Sequence, residues 1–414
     1  MPKHFLCWPL LLGVACLFSP ILDSHSVSRA ATLAEFFSAA DQTSPRLLEA
    51  HLEVARIRAL HSEQRALPNP TLFGSNEELG NDDASVQERT FGVRQELGFL
   101  WTMRAQKSSS SAAIAAAEAK YHSERSAAYS ELLTQLLRVQ HVYQSLQLSD
   151  SLEQHYSGIL TANEAREREG DISGYDAQRV RFESIAVSNR RAQLHAAWNE
   201  LIAELKKNTG LDESQLLSVD VKSLFGLTFS SEDEAVTYAK FHALELSFLQ
   251  ANEKAAQQEL AAQKLRRLPN FAVGVGHKST DHDESGLLIE AELELPLFSR
   301  RNPAVQLARA ERNNARQLNA NAQSQWSDLV GDAYARWQSL ERQTKSAPAL
   351  EELVAHVNAA QSLYLNGETG YLELLDAFKS SEEILSAAQE LALAHMQADL
   401  RLRQLTGYPI LEDK

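Results

Sequence analysis

Four short motifs recur along this chain in the same order and at nearly one spacing. Leu67-Pro68-Asn69 returns as Leu268-Pro269-Asn270, and Glu96-Leu97-Gly98-Phe99-Leu100 returns as Glu294-Leu295-Pro296-Leu297-Phe298. Gly174-Tyr175 returns as Gly370-Tyr371, and Thr209-Gly210 as Thr406-Gly407. The offsets are 201, 198, 196 and 197 residues. Self-similarity at one spacing marks a duplicated structural unit. The chain therefore reads as an N-terminal segment 1–30, a first repeat 31–210, an inter-repeat segment 211–231 and a second repeat 232–414. Whatever one copy folds into, the other has to match.

The first copy opens with a helix from about Thr32 to Ala66, interrupted near Ser44-Pro45. Leu67-Pro68-Asn69-Pro70 ends it, because proline lacks a backbone donor and restricts the residue before it. Strands follow over Thr71–Leu79 and Val86–Leu97, joined by Gly80-Asn81-Asp82-Asp83, which is rich in turn formers. In the second copy the strands are Phe271–Lys278 and Leu287–Leu295, joined through Asp281–Gly286. Leu287, Ile289, Ala291, Leu293 and Leu295 alternate with Leu288, Glu290, Glu292 and Glu294, a strand with one apolar and one mostly acidic face.

A long helix then runs from about Met103 to Arg168, on the order of 100 Å at 1.5 Å per residue. Leu132, Leu136, Val139, Tyr143 and Leu146 follow the 4-3-4-3 spacing of a coiled-coil seam. Gly170-Asp171-Ile172-Ser173-Gly174 breaks it, and a return helix runs from Tyr175 to Asn208. The second copy repeats this over Pro303–Asn366, a Gly367–Gly370 turn and Tyr371–Leu405. Trp326, Leu329, Ala333, Trp337 and Leu340 form its expected seam, and Pro348 kinks it. Leu211–Ser231 is irregular and reads as a packed collar or a simple linker.

Composition agrees with long helices: 414 residues contain 17 Gly, 11 Pro and 7% aromatics. A formal charge of −15 excludes the footprint of a nucleic-acid binder. Lys3, the apolar stretch Phe5–Phe18 and the small-residue site Ser28-Arg29-Ala30 read as a signal peptide. An N-terminal anchor and lipidation at Cys16, after Gly13-Val14-Ala15, are the alternatives. Both cysteines, Cys7 and Cys16, fall in this segment, so the mature protein would have neither disulfide nor thiolate chemistry. No later stretch approaches about 18 uninterrupted apolar residues, so any membrane crossing has to be made by strands.

Candidate chemistry is sparse. Gly274-Val275-Gly276-His277-Lys278-Ser279 fails as a phosphate loop, because His277 separates glycine from lysine and the segment sits in a hairpin. His277, Asp281, His282, Asp283 and Glu284 form either a metal-ligating loop or a solvated hairpin tip. No catalytic constellation stands out, and no metal site or cofactor is assigned. Two glycine-containing turns draw more interest: Gly170, Asp171, Gly174, Tyr175 and Asp176, and Gly367, Glu368, Gly370, Tyr371 and Glu373. Each is an ordinary helix connection, or the gate or docking tip of a long rod.

Four amphipathic strands cannot cross a membrane alone, because open edges leave backbone groups unpaired in lipid. Several copies pooling strands would close a barrel. The twofold repeat, Leu67-Pro68-Asn69-Pro70 before the first hairpin and Glu294-Leu295-Pro296-Leu297-Phe298-Ser299-Arg300-Arg301 leaving the second resemble one known family. So do the tips Gly170…Tyr175-Asp176-Ala177 and Gly370-Tyr371-Leu372-Glu373-Leu374-Leu375-Asp376-Ala377. The chain resembles the outer-membrane factors, the TolC-like exit ducts of tripartite efflux and type I secretion systems.

That resemblance implies a mainly α fold with a small membrane β part, and a homotrimer with a 12-stranded barrel and a helical periplasmic tunnel. It implies a setting in the outer-membrane lipid of a Gram-negative bacterium. The implied partners are a periplasmic adaptor and an inner-membrane pump, and the duct itself would be no enzyme. The family's tunnel narrows near acidic tips, here Asp171, Asp176, Glu368 and Glu373. Chain length and the Leu-Pro-Leu-Phe exit are most similar to the heavy-metal cation branch, although no methionine ladder accompanies them. The competing readings are a periplasmic adaptor, which would carry one helical hairpin flanked by lipoyl-like β segments, and a structural coiled-coil envelope protein.

Overall fold

The computed structural model describes residues 31–64, 66–81, 84–169, 173–221, 224–227, 229–282, 284–294, 301–347, 350–366 and 368–410. The segment 1–30 with Cys7 and Cys16, the turn residues Asp82, Asp83 and Asp283, the exit segment 295–300 and Pro348 lie outside the described residues.

The described chain is mostly helical with one small antiparallel sheet. Its first run of elements is α1 (Leu33–Thr43), α2 (Pro45–Gln64), β1 (Thr71–Asn81), β2 (Ala84–Glu96), α3 (Phe99–Glu169) and α4 (Gly174–Thr209). A short α5 (Glu213–Ser218) follows. The second run is α6 (Glu232–His242), α7 (Leu244–Leu265), β3 (Asn270–Thr280), β4 (Ser285–Glu294), α8 (Asn302–Ser346), α9 (Leu350–Leu365) and α10 (Tyr371–Thr406). These elements pack as two compact units. One gathers 31–48, Ser126–Ala239 and 329–410; the other gathers Glu49–Arg125 and Lys240–Asp328.

Local chemistry explains where the helices start and stop. Thr32 caps α1 with a capping box: its hydroxyl accepts from the Glu35 N–H at 3.2 Å, and its own N–H donates to the Glu35 carboxylate at 2.8 Å. Pro45 then opens α2 at the one helical position where a missing donor costs nothing. The recurring Thr-Gly motif is a pair of matching C-caps. Gly210 and Gly407 take left-handed φ values of 68° and 75°, which favour glycine. Thr209 donates to the Leu205 carbonyl at 2.8 Å and Thr406 to the Leu402 carbonyl at 2.7 Å. Each threonine oxygen also accepts, at 3.3 Å, the N–H of the residue after its glycine.

The core of the first unit surrounds the middle of α3. Leu132, Leu133, Leu136, Leu137 and Val139 are buried there against Phe36 and Phe37 of α1, Ile202 and Leu205 of α4, and Leu400 of α10. Fully burying such side chains contributes about 1.5–3 kcal/mol each. The buried face is therefore wider than a two-helix seam. Tyr143, expected in that seam, is 38% exposed, and its ring lies tilted by 37° at 5.6 Å from Trp198. In α8 the stripe also departs from expectation: Leu329 is 42% exposed, and Val330 and Tyr334 are buried in place of Leu329 and Ala333. The spacing from Trp326 to Val330 to Tyr334 is four and four, and an extra step of four moves the stripe one residue around the helix.

The segment after α4 packs. Leu216, Val219 and Val221 are buried in the same core, and the Gln140 amide donates to the Val219 carbonyl at 2.9 Å. Further along, Arg403 of α10 holds Asp399 at 2.6 Å and donates to the carbonyls of Leu224 at 2.6 Å and Pro409 at 3.0 Å. Its guanidinium lies 5.0 Å from the Tyr408 ring centroid. Of the two readings for this segment, the collar fits and the simple linker does not.

Candidate channel wall and helix tips

The sheet runs β1-β2-β3-β4, every neighbouring pair antiparallel. Both outer strands keep an open edge among the described residues. Because side chains alternate along a strand, register decides each face. Leu72 stands opposite Val93, Val93 opposite Val275 and Val275 opposite Ile289. Phe91, His277 and Leu287 form a second row on this face. All of the apolar members are open in the single chain, from 44% at Val93 to 74% at Leu287. A contiguous apolar face of that kind marks a surface built to be covered.

The opposite face is polar and internally paired. Arg94 of β2 reaches across β3 to Glu290 at 2.9 Å and Glu292 at 3.1 Å, and Lys278 pairs with Glu88. The reach is open because Gly274 stands between them in the register. Phe73 of β1 lies against Gly92, where an added Cβ would strike its ring, and Arg94 sits 5.0 Å from the same ring. The acidic face expected of β4 is thus partly neutralised by an arginine from the other hairpin. Among the described residues no three His, Cys, Asp or Glu side chains gather to hold a metal. Asp281 binds His282 at 2.9 Å, while His277 sits on the apolar face. Asp283 of that loop lies outside the described residues.

Of the ten expected tip residues, Gly170, Asp171 and Gly367 lie outside the described residues. Gly174 begins α4, Tyr175 follows it at 74% exposure, and Asp176 belongs to the same first turn. Gly370 is the N-cap of α10, Tyr371 its first residue, and Glu373 the acid of its first turn. A Cβ on Gly370 would fall 2.6 Å from the Glu373 carboxylate, so glycine lets that side chain fold back over the helix start. Glu368 is exposed in the preceding turn, where its N–H donates to the Leu363 carbonyl at 2.9 Å. Across the first tip, Arg181 pairs with Glu167 at 3.4 Å.

The residues missed in the sequence sit where α4 meets α10. Lys379 pairs with Glu183 at 3.2 Å. Arg190 reaches Glu382 at 3.2 Å and the Ser386 hydroxyl at 3.0 Å. Beneath them Tyr156, Val180, Val187 and Leu375 pack together. Burial, reinforced by the Glu382 and Glu183 charges, pushes the Tyr156 hydroxyl up to about 12. Burial also holds the Glu382 carboxyl above the ordinary glutamate range, and Arg190 only partly offsets it. One signal was available: Glu183 and Lys379 are 196 residues apart, the same spacing as the two Gly-Tyr tips.

No family model matches the chain, and no curated protein matches it in sequence. Solved structures do match in shape. CusC, in structures concerned with folding and transmembrane channel formation, superposes with a TM-score of 0.73 at 18% identity, covering 94% of this chain and 95% of that one. The CmeC outer membrane channel of Campylobacter jejuni gives 0.73 at 14% identity, covering 90% and 85%. The open state of the MtrE outer membrane channel of Neisseria gonorrhoeae gives 0.67 at 13%, covering 90% and 88%. The fold is that of outer-membrane channels. No described helix is long and apolar enough to cross a membrane.

Proposed function

We propose that this protein is the outer-membrane exit duct of a tripartite efflux or type I secretion system. Three copies would close the open sheet edges into a 12-stranded barrel, and the long helices would form a periplasmic tunnel. The observation that carries this reading is the two-faced sheet: Leu72, Val93, Val275 and Ile289 open on one side, Arg94 bound to Glu290 and Glu292 on the other. Lipid covers the first face and water fills the lumen against the second, the division every membrane barrel requires.

The duct is passive. A periplasmic adaptor and an inner-membrane pump deliver cargo to it. The tips Gly170, Asp171, Gly174, Tyr175 and Asp176, with Gly367, Glu368, Gly370, Tyr371 and Glu373, serve as gate and adaptor docking point. The finer resemblance to the heavy-metal cation branch, carried by chain length and the exit Leu295-Pro296-Leu297-Phe298, makes a metal cation the proposed cargo. The two copies read as a tandem duplication with boundaries at 31–210 and 232–414.

Planar-bilayer recording of purified protein tests the reading. Low-conductance channels are expected, rising when Asp171 and Glu368 are neutralised together. Silence from trimers shown to be inserted would remove the duct. Fractionation should recover the protein with the outer membrane, whereas a soluble periplasmic pool would favour an adaptor or a structural coiled coil.

A further inference from the structure

The two hairpins of the sheet match each other in register as well as in sequence. Thr71 stands opposite Arg94 in the first, and Ala272 opposite Glu292 in the second. These residues are related by the motif offsets, 201 from Leu67 to Leu268 and 198 from Glu96 to Glu294. β3 is therefore the counterpart of β1, and β4 the counterpart of β2. One junction joins the hairpins, β2 against β3, pairing Glu96 with Ala272, Arg94 with Gly274 and Gly92 with Gly276. Its counterpart would be β4 against β1, and those strands are the two edges of the described sheet.

We propose that β4 takes β1 of a second copy in the register of the β2–β3 junction, so that one pairing alternates within and between subunits. The number of copies rests on the duct reading; the register rests on the sheet. Carried over by the two offsets, Glu294 faces Thr71 of the partner subunit, Glu292 the partner's Phe73 and Glu290 the partner's Ser75. On the opposite face Leu293 meets the partner's Leu72, apolar against apolar. Phe73 leaves room for this. Its ring turns inward over Gly92, and a Cβ on Gly274 would fall 3.3 Å from it, so the outer side of β1 stays clear.

Other registers fare worse. A slip of one residue exchanges the two faces of the joining strand. In the proposed register a row from Leu72 passes Val93, Val275 and Ile289 and meets Asn76 of the partner subunit, four residues higher. Three such steps give 12 strands a shear of about 12, and a shear equal to the strand number tilts strands by about 36°. Membrane barrels tilt by about 35–45°. A slip of two residues one way lowers the tilt to about 20°. The other way raises it to about 48° and sets Glu290 against the partner's Glu77, like charge opposite like charge.

Engineered cysteine pairs read the register. At the β2–β3 junction the Leu97 N–H donates to the Phe271 carbonyl at 2.6 Å and the Asp281 N–H to the Gln87 carbonyl at 3.1 Å. Both bonds fall on apolar-face rows, so the polar-face rows are the non-hydrogen-bonded ones, whose side chains lie closer. Thr71→Cys with Glu294→Cys, and Ser75→Cys with Glu290→Cys, should each convert most of the membrane-inserted chain into disulfide-linked trimers. Within one chain β1 and β4 stand three strand spacings apart, about 14 Å, beyond the reach of a disulfide. Pairs displaced by two residues, Thr71→Cys with Glu292→Cys and Phe73→Cys with Glu294→Cys, should link at least about tenfold less. Single-cysteine variants account for Cys7 and Cys16. The first matched pair leaves both Arg94 partners in place, so it remains informative where Glu290→Cys fails to assemble. Stronger linking in a displaced pair, or none in assembled trimers, would overturn the register and leave the duct standing. A native chain that is monomeric by light scattering would remove the duct reading, and this junction with it.

Discussion

Glu183 and Lys379 lie 196 residues apart and pair with each other at 3.2 Å. The same separation relates Arg190 to Ser386, bonded at 3.0 Å, and Gly174 to Gly370 at the starts of their helices. The two return helices therefore meet in register, corresponding position against corresponding position. Opposite charges at Glu183 and Lys379 make that arrangement favourable, where identical copies would set like against like. Arg94 and Glu292 repeat the pattern in the sheet at 3.1 Å, with the 198-residue offset that relates Glu96 to Glu294.

Charge reversal at this pair has a defined outcome. Glu183→Lys alone should lower thermal stability by at most about 1 kcal/mol, given the partial exposure of both side chains. Adding Lys379→Glu should recover most of the loss. A double-mutant cycle on thermal melting reads the coupling, and a value of zero would mean the contact is incidental.

Tyr156 should titrate late. With its hydroxyl held near 12, ultraviolet absorbance of the folded protein will show one tyrosine ionising above the others. An acid raised in the folded state stabilises below its ordinary value, near 10, and loses that contribution as pH climbs towards 12. Alkaline melting should therefore steepen over that window in the native chain and less so in Tyr156→Phe.

Arg403→Leu should be the most damaging single change outside the sheet. It leaves Asp399 buried and unpaired, at 2% exposure, and frees the Leu224 and Pro409 carbonyls. Removing one partner of a buried pair costs about 3–5 kcal/mol. Asp399→Leu in the same chain should return part of it. Urea unfolding midpoints measure both.

Ile289→Arg and Leu288→Gln differ by one residue and should differ in fate. The first puts a cation on the apolar face, at a cost of about 2–4 kcal/mol near a bilayer midplane, and should block outer-membrane assembly. The second changes the polar face and should assemble normally. Heat-modifiable migration on gels distinguishes them, and equal assembly would mean that the Ile289 face does not meet lipid.

Much of the fold was legible in the sequence because its signals are local. Proline and glycine mark the element ends within one or two residues at Gln64, Thr71, Gly174 and Gly407, and strand alternation reports both faces of β4. What escaped depends on contacts far apart in the chain. The buried stripe of α8 is an exception: it shifts to Val330 and Tyr334 through two successive steps of four, which a strict heptad reading passes over. The Arg403 anchor joins carbonyls at Leu224 and Pro409, and carbonyls leave no trace in a residue pattern. The Glu382 environment needs three helices to assemble before its burial exists.

The core around α3 carries a consequence in time. It includes Ala31 and Phe36 from the first described helix region and Leu400 from the last helix, so its two edges are some of the most distant residues in the chain. Pairings of such separation close slowly, because the intervening chain must be ordered first. A ribosome would have to release nearly the whole polypeptide before that core could shut. Residues 49–125 and 240–328 would be complete well before then, with apolar strands already exposed. A core that waits for Leu400 delays commitment by construction.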